Sequence, residues 1–121
     1  MRILVCGGRD FSDVKLAHEK ITKAIGTIFM TPPTIIHGGA RGADTIAGEY
    51  AKLNGFSCEV YEADWAAHGR AAGPIRNRRM IVEGRPHAVL ALHGGKGTQN
   101  MIKQAAAAGL TVWVVNKKET P

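Results

Sequence analysis

The sequence predicts one α/β domain, a five-stranded parallel sheet with helices on both faces. Three observations predict it. Short apolar or β-branched runs alternate with stretches of helical period along the 121-residue chain. Three of those runs end in Gly-Gly followed within two residues by a cation: Val5-Cys6-Gly7-Gly8-Arg9, His37-Gly38-Gly39-Ala40-Arg41, and Leu92-His93-Gly94-Gly95-Lys96-Gly97-Thr98. One run, His87-Ala88-Val89-Leu90-Ala91-Leu92, is almost continuously apolar, as expected of a central strand covered on both faces.

Residues 2–6 read as the first strand. Gly7-Gly8-Arg9-Asp10-Phe11 turns the chain, and Ser12 suits a helix N-cap. Val14, Ala17, Ile21, Ala24 and Ile28 then recur at helical spacing, giving an amphipathic helix of about four turns. Thr31-Pro32-Pro33 stops that helix and enters a second strand, 34–37, in extended backbone. Ala43, Ile46, Ala47, Tyr50 and Ala51 form the next helical stripe, closed by Asn54-Gly55. Ser57-Cys58-Glu59-Val60-Tyr61-Glu62 alternates like a strand with one exposed face.

Residues 63–73 are rich in small side chains and lack periodicity, which predicts a long functional loop. Pro74 opens a helix to about Glu83, and Gly84-Arg85-Pro86 ends it. After the apolar strand, an alanine-rich helix runs from Thr98 to Ala108 and Gly109 closes it. Thr111-Val112-Trp113-Val114-Val115 is the final strand. Residues 1–116 form the domain, and 117–121 a polar tail. Parallel strands need right-handed crossovers, and an order 3-2-1-4-5 sets the three glycine turns side by side.

Composition narrows the function. With 45% hydrophobic and 21% charged residues the chain reads as a soluble globular protein, and no apolar run approaches the roughly 20 residues of a membrane span. Its start reads directly as a strand rather than a leader. Cys6 and Cys58 share no metal or redox spacing, so both are expected to be buried thiols in a reducing cytoplasm. His18, His68 and His87 show no metal spacing either, and neither a metal nor a cofactor is expected. A net charge of +6 calls for anionic partners, and nucleotides, nucleic acid and acidic lipid all satisfy it. Much of that charge is concentrated, because Arg70, Arg76, Arg78, Arg79 and Arg85 crowd one segment.

A strand that passes through glycines into a helix start is a physical device for approaching an anion. The glycines remove Cβ atoms, the amides point outward, and the helix end carries partial positive charge. The common nucleotide signatures are absent. The fourth-strand turn lacks P-loop spacing, and no G-x-G-x-x-G follows the first strand.

The strings Val5-Cys6-Gly7-Gly8-Arg9-Asp10-Phe11, Gly38-Gly39-Ala40-Arg41-Gly42-Ala43-Asp44, Ala63-Asp64-Trp65, Ala72-Gly73-Pro74-Ile75-Arg76-Asn77-Arg78-Arg79-Met80 and Gly94-Gly95-Lys96-Gly97-Thr98 span nearly the whole chain. Together they resemble the YspA-like branch of the SLOG superfamily, which groups the Smf/DprA proteins with the LOG ("lysine decarboxylase-like") proteins. The resemblance implies a Rossmann-like three-layer fold and a site for nucleotides or nucleotide-derived ligands. LOG phosphoribohydrolases, which cleave cytokinin nucleoside monophosphates, carry an Arg-Lys pair ahead of the fourth strand and Pro-Gly-Gly-x-Gly-Thr-x-x-Glu after it. Counted back from Gly94, the pair falls on Arg78 and Arg79 and the proline on His93. The glutamate that assists glycosidic cleavage falls on Met101, whose thioether cannot accept a proton. The phosphate-binding half of the motif carries over and the glutamate does not.

The expected ligand set is therefore Gly7, Gly8 and Arg9 from the first turn, with Gly38, Gly39, Ala40, Arg41, Gly42 and Asp44 from the second. Gly94, Gly95, Lys96, Gly97 and Thr98 complete the floor, and Asn77, Arg78 and Arg79 come from the arginine-rich helix. Ile75, Arg78, Arg79 and Val82 share one stripe of that helix, while Asn77, Met80, Ile81 and Gly84 share another. Arginines on a partly apolar stripe present fork-shaped donors suited to phosphate. His37, His93, Asp10 and Asp44 are the candidate acids and bases, and Trp65 is either a stacking surface for a base or a lid. Binding of a nucleotide-like small molecule is the leading expectation. A nucleotide-directed hydrolase and a DprA-like nucleic-acid-binding protein are the alternatives, and a homodimer is compatible with the alanine-rich helix.

Overall fold

The computed structural model describes residues 1–28 and 31–116; the expected polar tail, 117–121, lies outside the described residues. Strands β1 (Arg2–Cys6), β2 (Thr34–His37), β3 (Ser57–Val60), β4 (Ala88–Ala91) and β5 (Thr111–Val114) form one parallel sheet in the order β3-β2-β1-β4-β5. Helices α1 (Val14–Ile28), α2 (Ala43–Leu53), α3 (Trp65–His68), α4 (Ala72–Val82) and α5 (Lys96–Ala107) make the crossovers. The strand order, the helical stripes and the three-layer Rossmann-like arrangement agree with the sequence-based expectation.

Strand geometry explains the layers. Successive side chains alternate faces, so β1 sends Ile3 and Val5 to one side and Leu4 and Cys6 to the other. Ile3 and Val5 join Ile35, Leu90 and Leu92 against Ala17 and Ile21 of α1 and Ile46 and Ala47 of α2. Leu4 and Cys6 join Ile36, Val89 and Ala91 against Met80 of α4 and Met101 and Ala105 of α5. Each fully buried Ile or Leu contributes roughly 1.5–3 kcal/mol relative to exposure, so both faces of the sheet are strongly anchored. All four residues of β4 are buried, as its apolar run predicts.

The helix ends follow local chemistry. Gly55 N–H donates to the Lys52 carbonyl and Phe56 N–H to Ala51, which closes α2 in a Schellman pattern. Gly109 and Leu110 repeat that pattern at the end of α5, donating to Ala106 and Ala105. Asp13 caps α1 instead of Ser12, because its Oδ1 accepts the Leu16 amide at 3.0 Å while Ser12 offers only its carbonyl to Val14. Adjacent Ser and Asp are both good N-caps, so residue type alone does not choose between them.

Two further expectations are corrected. Residues 63–73 are not a loop: they contain α3, a 3-10 turn at Gly69–Ala71 and the start of α4 at Ala72, two residues before Pro74. Asp64 caps α3 by accepting the Ala67 amide at 3.0 Å. A single helical turn is too short to show a period, which is why the sequence concealed it. Cys58 is exposed rather than buried, since β3 is an edge strand whose side chains are mostly open to solvent. Among the described residues no helix is long and apolar enough to cross a membrane.

Candidate functional site

The strand order reverses between β1 and β4, and open α/β sheets bind ligands at the C-terminal edge of such a switch point. Here the first and third glycine turns meet directly. Gly8 N–H donates to the His93 carbonyl at 3.0 Å, and the Gly8 carbonyl accepts from Phe11 and Ala43. A Cβ on Gly8 would stand 3.0 Å from the Gly94 Cα, so the approach of the two turns depends on bare backbone.

Helix α5 starts at this meeting point. Its N-cap is Gly95, no side chain caps it, and its first turn contains no acidic residue. The first intrahelical bond runs from Gln99 N–H to the Gly95 carbonyl, which leaves the amides of Lys96, Gly97 and Thr98 without an acceptor among the described residues. They open on a cavity of about 970 Å³ that Gly7, Gly8, Phe11, His93 and Asn100 also line. Arg9, Arg70, Arg76 and Lys96 bring four cations to its walls, against Asp10 and Asp44.

The second glycine turn behaves differently from the expectation. Its amides already have acceptors within the protein. Gly38 and Ala40 N–H both donate to Asp44 Oδ2 at 3.1 Å, and Gly39 N–H donates to His37 Nδ1 at 3.0 Å. The cause is Asp44, a carboxylate buried at the start of α2 that must collect donors to remain there. Burial raises its carboxyl above the ordinary range, while the Ala40 amide, His37, Arg76 and the Gly38 amide pull it back. Gly42, the α2 N-cap, has φ 79 and lies against the backbone carbonyls of Gly8 and Arg9, so no side chain fits there. This turn is a wall that holds itself rigid.

Helix α4 supplies the other wall, through Arg76 and Asn77 and not through Arg78 and Arg79. Arg76 Nη1 donates to the Gly38 carbonyl at 2.6 Å, and its Nε donates to Asn77 Oδ1 at 3.2 Å. Asn77 is buried and donates from Nδ2 to the Gly97 carbonyl and to Asn100 Oδ1. A continuous hydrogen-bonded path thus joins the second glycine turn, α4 and the start of α5. Arg78 is exposed away from the cavity. Arg79 pairs with Glu83 at 3.1 Å and lies over the Tyr61 ring. Counted back from Gly94, the pair falls on Arg78 and Arg79, and neither lines the cavity.

The acid–base candidates separate clearly. His37 is buried behind the turn and does not line the cavity; burial lowers its pKa, and its Nδ1 is used as an acceptor. His93 does reach the cavity, with its ring tilted on Phe11 at 4.7 Å. Asp10 sits on the rim and pairs with exposed Arg41 at 3.1 Å. Met101 is fully buried beneath the floor. Asn100 and Phe11 were missed as site residues. For Asn100 the readable signal was its place one turn into a glycine-started helix.

Trp65, on α3, stands half-exposed at the cavity with the Arg9 guanidinium 5.1 Å from its ring centre. A second cavity of about 430 Å³ adjoins the first and shares Arg9, Ala40, Trp65 and Arg76 with it. Its separate lining includes Arg41, Gly39 and Glu62.

Comparison with known proteins identifies the family of the chain. Residues 1–68 match the model of the YspA, cpYpsA-related SLOG family, a span that includes the first two glycine turns and the short helix of Trp65. The chain is also 35% identical over 123 residues to the Gene 61 protein of Mycobacterium phage D29, covering 92% of this chain and 93% of that protein.

Proposed function

This chain belongs to the YspA, cpYpsA-related SLOG family, and from that premise we propose that it binds a nucleotide or nucleotide-derived ligand with a phosphate at the start of α5. The observation that carries the reading is the unpaired first turn of α5. Three amides there lack an acceptor among the described residues, and Arg9, Arg70, Arg76 and Lys96 surround them in a cavity large enough for a nucleotide. Phosphate meets the amides as acceptor and the guanidinium groups as a bidentate partner.

Binding is favoured over hydrolysis. The position that would carry a catalytic glutamate is Met101, in the core. Asp44 is occupied by two backbone amides, and Asp10 lies out on the rim against Arg41. A nucleic-acid reading draws on the DprA resemblance and the +6 charge, but Trp65 is not part of a row of stacking aromatics among the described residues.

The test is a thermal-shift screen with nucleoside mono-, di- and triphosphates and nucleotide conjugates, followed by calorimetry. A ligand at about 100 times its Kd adds roughly 2.7 kcal/mol of stability. Gly97→Asp is the informative variant. A Cβ at Gly97 meets nothing within 4 Å, and an acid in the first turn favours the helix, so the fold survives while the phosphate is repelled. Loss of the shift in Gly97→Asp supports the reading. A cooperative melt with no shift from any nucleotide, or undiminished binding by Gly97→Asp, overturns it.

A further inference from the structure

The smaller cavity is not an extension of the phosphate cradle, since none of its lining comes from α5. It has its own charge. Arg9, Arg41 and Arg76 face it, with Glu62 as the acidic residue in the lining. Arg9 and Arg41 are poorly neutralised, and Arg76, which also faces the Asp44 carboxylate, keeps a free nitrogen among the described residues. Among the described residues Arg41 meets only Asp10, at 3.1 Å, and both side chains are largely exposed (73% and 94%), a pairing that an incoming anion displaces at little cost. Arg9 lies on the Trp65 ring and has no carboxylate partner among the described residues. Arg76 spends Nη1 and Nε on Gly38 and Asn77, and its Nη2 has no partner among the described residues.

The two cavities adjoin and share Arg9, Ala40, Trp65 and Arg76 in their linings, so one ligand lying past the indole would touch both. The phosphate cradle is at one end of that path and Arg41 at the other. A mononucleotide has a single anionic end and leaves the Arg41 end empty. We propose that the smaller cavity is a second anion subsite, and that the ligand is a nucleotide derivative anionic at two separated points, such as a dinucleotide with a terminal phosphate. The aromatic ring at the junction then meets a base or sugar between the two charges. Glu62 is placed to accept from a hydroxyl or amino group beside the second anion.

This rests on the nucleotide reading above, and the experiment separates the two. Calorimetry on the full chain compares adenosine 5′-monophosphate with the 5′-phosphorylated adenylyl dinucleotide, for wild type, Arg41→Gln and Arg41→Lys. The dinucleotide binds wild type at least tenfold more tightly than the monophosphate. Arg41→Gln lowers that preference by about tenfold, and Arg41→Lys lowers it less because a charge remains. A preference of one in wild type, or one that Arg41→Gln does not change, overturns the second subsite while leaving the first in place. Binding of neither compound overturns both. Affinity that keeps rising with oligonucleotide length and falls steeply with salt assigns the path to single-stranded nucleic acid and overturns the small-molecule proposal.

Discussion

Arg76 holds the carbonyl of Gly38 at 2.6 Å, while the amide of that same glycine is held by Asp44 at 3.1 Å. One residue of the β2–α2 turn is therefore gripped from both ends by charged side chains from two different helices. A Cβ at Gly38 would fall inside the Arg76 guanidinium and stand 2.9 Å from Asp44 Oδ2. Arg76 is long enough to swing away, so Gly38→Ala costs its hydrogen bonds rather than an unrelieved overlap. The expected loss is about 1–3 kcal/mol, read from urea unfolding midpoints. Gly95→Ala is the control, since a Cβ there meets nothing within 4 Å and φ is −98°, and only the exchange of a glycine N-cap for alanine, about 0.5 kcal/mol, is expected. Equal losses at the two positions would show that the double grip does not constrain the turn.

The two arginine positions of α4 make opposite predictions. Arg76→Met removes the link to Gly38 and leaves Asn77 Oδ1 without its donor, so stability falls by about 1–3 kcal/mol and nucleotide-induced stabilisation is lost. Arg78→Ala removes an exposed side chain off the cavity, and its melt stays within about 0.5 kcal/mol of wild type. Thermal melts with and without nucleotide decide the matter. Loss of the ligand shift in Arg78→Ala but not in Arg76→Met would return the phosphate clamp to the outer stripe.

This reversal shows what the sequence could and could not convey. The apolar alternation of β1 and the Gly-Gly strand ends are local patterns, and they were enough to give strand order and the edge that carries the cavity. The inner stripe of α4 was legible too, since Asn77 and Met80 share it. Arg76, however, reaches the cavity from beside that stripe because the Gly38 carbonyl and Asn77 hold it there. Nothing local to α4 encodes that partner. Likewise, Gly38 and Ala40 look like free amides until Asp44, in the next helix, folds back onto them. Long-range side-chain-to-backbone bonds are the part of the site that pattern alone does not reveal.

His37 makes stability depend on pH in a defined direction. Burial, the largest influence, holds its pKa below the ordinary 6.5; Asp44 pulls it up and Arg76 pushes it down. The unfolded chain therefore takes up a proton near pH 6.5 that the native imidazole refuses. Stability is intact above 6.5 and is lost as pH falls from there toward the lowered native value, with a slope of at most about 1.4 kcal/mol per pH unit. Asp44 acts in the opposite sense. Its carboxyl lies above the ordinary 3.8, so its charged form costs stability at neutral pH, and that cost is relieved as pH falls through the raised value toward 3.8. His37→Asn keeps an acceptor near the Gly39 amide without a titrating ring. Urea unfolding from about pH 7 to about pH 5 should show a shallower loss for the variant than for wild type. Equal slopes would mean that His37 protonates within the native structure as freely as in the unfolded chain.

The two cysteines provide an independent check of the layer arrangement. Cys6 is packed under α4 and α5, and burial pushes its thiol up to about 12, so almost no thiolate is present at neutral pH. Cys58 is exposed on the edge strand β3. Titration of the native protein with an aromatic disulfide reagent should release close to one equivalent at pH 8, and a second only after denaturation. Cys58→Ser should abolish the first equivalent, while Cys6→Ser should leave it and remove the second. The Cys6 side chain also borders the large cavity, so a bound ligand should slow its residual reaction without altering that of Cys58. Two fast equivalents in the native state would mean that the floor of the cavity opens to reagent on the timescale of labelling, contrary to the packing of Cys6 against Met80 and Met101 in the lower core.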